Sequence, residues 1–75
     1  MKLYINLDGN SGILAYEPGP NWIDIRWADG TYRYTADKVG AGNLAKMKVL
    51  ALQGRGLNTF INHHPQVRDG AERID

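Results

Sequence analysis

The sequence predicts an α+β domain. It should hold a three-stranded antiparallel β-meander, with an optional fourth strand at the N-terminal edge, packed against two C-terminal helices and followed by a flexible C-terminal tail. Three observations lead there. Apolar residues recur at every second position up to about residue 36 and at helical spacing beyond it; strands followed by helices make an α+β chain rather than a βαβ one. An Asp29-Gly30 pair separates two alternating segments, a strong local signal for a hairpin. The chain has 75 residues, 43% of them hydrophobic, which suits one small domain with a single core.

The elements follow in order. Lys2 to Leu7 is the optional edge strand, with Asp8-Gly9-Asn10-Ser11-Gly12 as its turn. Gly12 to Glu17 is a strand, joined by the breaker-rich Pro18-Gly19-Pro20-Asn21 to Trp22-Ile23-Asp24-Ile25-Arg26-Trp27. That segment places Ile23, Ile25 and Trp27 on one face. Thr31 to Thr35 returns as its partner, rich in residues that fit a half-buried pleated surface. A two-residue turn at Asp29-Gly30 would set Trp27 opposite Tyr32, Ile25 opposite Tyr34 and Arg26 opposite Arg33. The first helix should run from Gly42 or Asn43, with Asn43 as the cap, to Gln53, and Gly54 fits the left-handed position that ends it. On this helix Leu44, Met47, Leu50 and Ala51 form one apolar stripe. Ala45, Val49 and Leu52 form a second stripe, separated from the first by Lys48. Leu57, Phe60, Ile61 and His64 share one face of a second helix, which Pro65 should stop. Residues 65–75 are nearly free of apolar side chains and read as a mobile tail. The organisation is therefore 1–10 as an N-terminal extension or edge strand, 11–64 as the folded unit, and 65–75 as the tail.

Composition narrows the function classes. The absence of cysteine removes disulfides and thiolate zinc sites. No run approaches the ~20 apolar residues of a membrane span, and the N-terminal stretch lacks a signal-peptide pattern. The expectation is a cytoplasmic protein without membrane contact. Ser11 is the sole serine and no His-carboxylate pairing accompanies it, so no catalytic residue is assigned and no enzyme is expected. His63 and His64 point about 100° apart on a helix and do not converge on one ion. Neither a metal nor a cofactor is expected.

Charge is sorted along the chain. The net charge is +1, yet Lys38 to Arg68 contains no Asp or Glu while carrying Lys38, Lys46, Lys48, Arg55 and Arg68. Such sorting favours an anionic partner. Arg26 and Arg33, facing each other on the open side of the hairpin, could hold a phosphate or carboxylate between them. The favoured reading is plainer: Asp24, Glu17 or Asp29 neutralises them, or they fan into water. Tyr32 and Tyr34 could stack on bases or pack beneath the helices; the expected register favours packing, at the core or its rim. Trp22, on the opposite face, is the better candidate for exposed stacking. Gly54-Arg55-Gly56 could cradle an anion at the next helix N-terminus, or merely cap two helices.

Ser11-Gly12-Ile13, Tyr16-Glu17, Asp29-Gly30, Tyr32-Arg33-Tyr34 and Gly56-Leu57-Asn58-Thr59-Phe60-Ile61-Asn62 occur in this order. The set resembles the KTSC family, a small domain named after the C-terminus of certain lysyl-tRNA synthetases, whose hallmark is a central Tyr-x-Tyr. The resemblance spans residues 11–63. The glycine-rich segment 37–42 departs from the Pro-containing link more common in the family, as in a divergent, stand-alone bacterial member. The resemblance implies a three-stranded antiparallel sheet with two helices, and an RNA-binding role suggested by the synthetase association. The resulting expectation is a non-enzymatic module that binds RNA through Arg26, Arg33, Arg55, Lys46, Lys48 and Trp22. The rival is a protein-interaction or self-association module that uses Ala45, Val49 and Leu52.

Overall fold

The computed structural model describes residues 1–9 and 11–75. It is an α+β fold with a five-stranded antiparallel meander: β1 (Lys2–Leu3), β2 (Ile13–Pro18), β3 (Trp22–Trp27), β4 (Gly30–Thr35) and β5 (Glu72–Arg73), in the spatial order β1-β2-β3-β4-β5. Four helices, α1 (Ala36–Val39), α2 (Ala41–Gln53), α3 (Leu57–His63) and α4 (Pro65–Asp69), lie between β4 and β5 in the chain. Among the described residues the sheet thus has the expected three strands, the optional N-terminal edge strand as β1, and β5 in addition, and the helices number four rather than two. The turn expected over 8–12 includes Asn10, which lies outside the described residues.

The hairpin register differs from expectation. Trp27 pairs with Gly30, Arg26 with Thr31, Ile25 with Tyr32, Asp24 with Arg33 and Ile23 with Tyr34. The loop residues are Ala28 and Asp29, neither of which has positive φ, while Gly30 takes φ 149°. The turn with two left-handed central residues is therefore not formed. The observed register sets Asp24, rather than a second arginine, opposite Arg33, and a cross-strand pair of opposite charges is favoured over a pair of like ones. Because the pairing moves by two residues, each side chain keeps its face. Ile23, Ile25 and Tyr34 remain in the core and Arg26 and Arg33 remain on the open side.

In β2 the register slips between Ile13 and Ala15, leaving Leu14 as an exposed bulge. The extra residue lets Ile13 and Tyr16, three apart, both face the core. That core joins them to Ile23, Ile25 and Tyr34 from the sheet, and to Val39, Leu44, Met47, Ala51, Leu57, Ile61 and Val67 from all four helices.

The helix boundaries show which local signals were strong. Gly54 ends α2 in the left-handed region at φ 77° and its amide donates to the carbonyls of Leu50 and Ala51. Asn43 does not cap α2. Gly40 holds that position, and the Asn43 side-chain amide donates instead to the Val39 carbonyl at 2.7 Å, tying down the end of α1. Pro65 ends α3 as expected but also starts α4, where its missing N–H costs nothing. The expected mobile tail is therefore a helix and a strand. Val67 is fully buried in the common core, and Glu72 and Arg73 pair with Arg33 and Tyr32. Few apolar side chains are enough to dock this segment because α4 packs close to α1; a Cβ on Gly70 would lie 3.0 Å from a Val39 methyl.

Candidate functional site

The open face of the sheet is built from charge pairs. Arg33 donates from Nε to one Asp24 carboxylate oxygen at 2.8 Å and from its terminal nitrogen to the other at 3.0 Å. Its guanidinium carbon lies 4.2 Å from the centre of the Trp22 ring. The Asp24 hydrogen bond raises the Arg33 pKa further, against a smaller opposing effect of desolvation. Asp24 is only 6% exposed because Arg33 and its neighbours cover it. Arg26 points into solvent opposite Thr31, with Asp75 at 3.9 Å. Arg26 and Arg33 are not opposite one another, and Arg33 is already paired with Asp24.

The remaining basic candidates are dispersed. Lys48 donates to the carbonyl of Gly19 and, at 3.4 Å, to that of Pro20. Gly19 also lies beneath the Trp22 ring, where a Cβ would collide with the indole. This loop is thus a place where a helix-borne and a sheet-borne candidate meet. Lys46 is exposed on α2 and Arg55 is exposed on the connection to α3. At that connection the Gly56 amide is taken by a carboxylate of the chain itself, Asp8, at 3.2 Å. Asp8 thus places a carboxylate of the chain itself beside the glycine pair where an external anion was expected. His64 stacks on Phe60 with ring centres 4.0 Å apart, and its Nδ1 lies 2.7 Å from the Phe60 carbonyl oxygen. The Ser11 hydroxyl donates to Asn6 and accepts the Ile13 amide, a turn-forming role. Among the described residues no helix is long and apolar enough to cross a membrane.

On α2 the two stripes part company. Leu44, Met47 and Ala51 are buried, whereas Ala45 is exposed, Val49 is 48% exposed and Leu52 is 70% exposed. Ala41 is exposed too and falls on the same arc as Ala45, Val49 and Leu52, within about 80° when residues are placed 100° apart. The helix therefore buries one stripe and presents the other.

A cleft of about 310 Å³ opens between the sheet and the second half of the helical layer. Its floor is Tyr34, Ile61 and Ala71. Half-buried Trp27 and Tyr32 line the sheet side, and Asn58 and Asn62 of α3 line the helix side. Asp29 and Arg68 stand at its rim. The two asparagines are one helical turn apart, and the Asn62 amide donates to the Asn58 carbonyl at 3.0 Å. The Tyr32 hydroxyl donates to Asp29 at 3.3 Å. Burial pushes the Tyr34 phenol above its ordinary pKa; the Trp27 side chain opposes this through a hydrogen bond, and Tyr32 and Asp29 add to the rise.

Tyr32 and Tyr34 were expected at the core or its rim, and they take one position each. Tyr34 is buried and Tyr32 is half-exposed. The cleft residues Asn58, Asn62 and Arg68 were not singled out by their chemistry. The i, i+4 spacing of the asparagines beside the Leu57 and Ile61 core positions was the available signal. Arg68 reaches the cleft only because α4 folds back. Comparison with protein-family models, with curated proteins and with solved structures finds no match to this chain.

Proposed function

We propose that this chain is a non-enzymatic binding module that works through protein contact, and that its first partner is a second copy of itself, met through α2. The observation carrying this reading is the exposed arc Ala41, Ala45, Val49 and Leu52. Its small residues lie toward the N-terminal half of the helix and its large ones toward the C-terminal half. An antiparallel, two-fold pairing of two such helices sets Val49 and Leu52 of one copy against Ala41 and Ala45 of the other. The surface is therefore complementary to itself, as a two-fold interface requires. The arc carries no charge, and the nearest cation, Lys48, is held by the Gly19 and Pro20 carbonyls.

One helix face buries less than the ~1,200–2,000 Å² of a standard stable interface, so the pairing is weak and concentration-dependent. Two supports favour a binding role over catalysis. Ser11 is spent on a turn, and the polar side chains at the cleft bond to one another.

Binding of RNA along the surface has less support. Arg33 is committed to Asp24 and Trp22, while Arg26, Lys46 and Arg55 stand on three different parts of the fold. The KTSC kinship belongs to the same proposal and rests on the ordered residue set, with Tyr32 and Tyr34 on the central hairpin. Sedimentation of the chain from micromolar to millimolar concentration tests the self-association. The expected result is a rising dimer fraction that disappears in Val49→Glu and Leu52→Lys while both variants keep their thermal stability. A chain that stays monomeric throughout that range ends the reading.

A further inference from the structure

A different face of the molecule supports a second binding site, and it does not depend on how α2 associates. We propose that the cleft between β3, β4 and α3 is a socket for a single nucleotide. In it the base lies against Tyr32 and Trp27, its edge meets Asn58 and Asn62, and its phosphate meets Arg68.

The cleft is concave, has an apolar floor of Tyr34, Ile61 and Ala71, and at about 310 Å³ lies at the small end of ligand sites. It suits one ring system rather than an extended chain. Two half-buried aromatic side chains on one wall supply stacking surface. Stacking on such a wall is a recurring way to hold an unpaired base.

The polar wall selects among flat ligands. Once Asn62 donates to Asn58, the pair retains the Asn58 NH₂ donors and the Asn62 carbonyl acceptor. Covering them with a hydrocarbon ring would leave those groups without partners, which is costly. A heterocycle with a donor and an acceptor on one edge satisfies both. A single asparagine amide reads a base edge with one donor and one acceptor; here the two groups come from two side chains.

The rim charges orient the anionic part. The helical rim, from Asn58 to Arg68, belongs to the span without Asp or Glu, whereas the sheet rim carries Asp29. Arg68 uses Nε on the adjacent Asp69 at 3.2 Å, which leaves its terminal nitrogens for a phosphate. Asp69 competes for the same guanidinium and so limits affinity. A phosphate leaving the socket thus runs along the helices and away from Asp29. This differs from a track along a strand: the fold offers a place for one nucleotide, either free or at the end of a single strand.

The two tryptophans make the test self-controlled. Trp27 lines the cleft, and Trp22 lies under Arg33 on the opposite face of the sheet. The intact chain is titrated by NMR with each of the four ribonucleoside 5′-monophosphates and with a short single-stranded oligoribonucleotide, at low salt. The expected result is movement of the Trp27 indole and of the Asn58 and Asn62 side-chain amides, with the Trp22 indole unmoved. Arg68→Gln should weaken binding about ten-fold and lower the salt slope by about one. Asp69→Asn should strengthen it, and Asn62→Ala should weaken it and change the base preference. Arg68, Asp69 and Asn62 are exposed, so these variants keep the fold, and a thermal melt checks that. Response to the monophosphates assigns the site to free nucleotides; response to the oligonucleotide alone, lost in Asn62→Ala, assigns it to a strand end. No shift at millimolar ligand overturns the proposal, as does equal movement of both indoles or binding unchanged in Arg68→Gln and Asn62→Ala.

Discussion

The two faces of the sheet hold the same strands by different means. On the covered face Ile23 and Ile25 are fully buried against Met47, Leu57 and Val39 of the helices, contacts that need bulk and shape but no particular partner. On the open face Asp24, Arg33 and Trp22 make a directional group in which each side chain needs the others. The covered face tolerates any register that keeps apolar residues inward. The open face distinguishes one register from the next, since a displacement by two residues exchanges an Asp–Arg pair for an Arg–Arg pair. Stability resides mainly in the first face, and strand alignment is refined by the second.

The largest effect should come from opening the covered face. Ile25→Ala, at a fully buried position, should cost about 2–5 kcal/mol, and Ile25→Val about 0.5–1.5 kcal/mol. Denaturant unfolding of the two variants reads this directly. A loss below 1 kcal/mol for Ile25→Ala would show that the helices do not pack on the sheet as described.

The alkaline limb should divide the faces again. Burial raises the pKa of Tyr34 and of Tyr4; at Tyr4 a hydrogen bond with the Leu57 backbone opposes the rise and Asp8 adds to it. A phenol whose folded pKa lies above its unfolded value contributes stability that is complete below the unfolded pKa of about 10. Above that point the unfolded chain releases its proton first, and the contribution fades as pH climbs through the folded value. Stability should therefore fall steeply above about pH 10, and Tyr34→Phe should make the fall shallower. Denaturant unfolding across that range is the measurement, and an unchanged slope in the variant would contradict the burial of Tyr34.

The smallest effects belong to the open face, where the contrast between two arginines is the informative quantity. Arg26→Gln should change stability by no more than about 0.5 kcal/mol, as for an isolated surface charge. Arg33→Gln should cost more than that, because it leaves the buried Asp24 carboxylate without its bidentate partner and uncovers Trp22. A red shift of tryptophan emission should accompany Arg33→Gln only. Equal behaviour of the two variants would mean that the Asp24–Arg33 pair does not form.

Several features were legible because the residues that specify them are neighbours in the chain. Gly54 marks the end of α2, and the breaker-rich loop separates β2 from β3. The two-residue alternation of Trp22 to Trp27 separates core from open face. The mobile-tail expectation did not hold because it weighed the scarcity of apolar residues over 65–75. Val67 enters the core and Ala71 packs against it, and Val67 does so through contact with α1, nearly thirty residues earlier in the chain. The expected pairing of Arg26 with Arg33 did not form for a related reason: a period of two cannot distinguish registers that differ by two residues. The cleft was illegible because Tyr32, Asn58 and Arg68 come from three separate elements.

What the amino-acid order determined by itself is the kind of β2, β3, β4, α2 and α3, the side of the β3–β4 hairpin that turns inward, and the two apolar stripes of α2. Those properties follow from steric and hydrophobic patterns over a few consecutive residues. Which residue stands opposite which, that the C-terminal segment returns to become the fifth strand, and that two asparagines face two aromatic rings across a cleft were decided only on folding. They depend on contacts between distant parts of the chain, where alternatives differ by about a kilocalorie per pair and local spacing carries no trace of the winner.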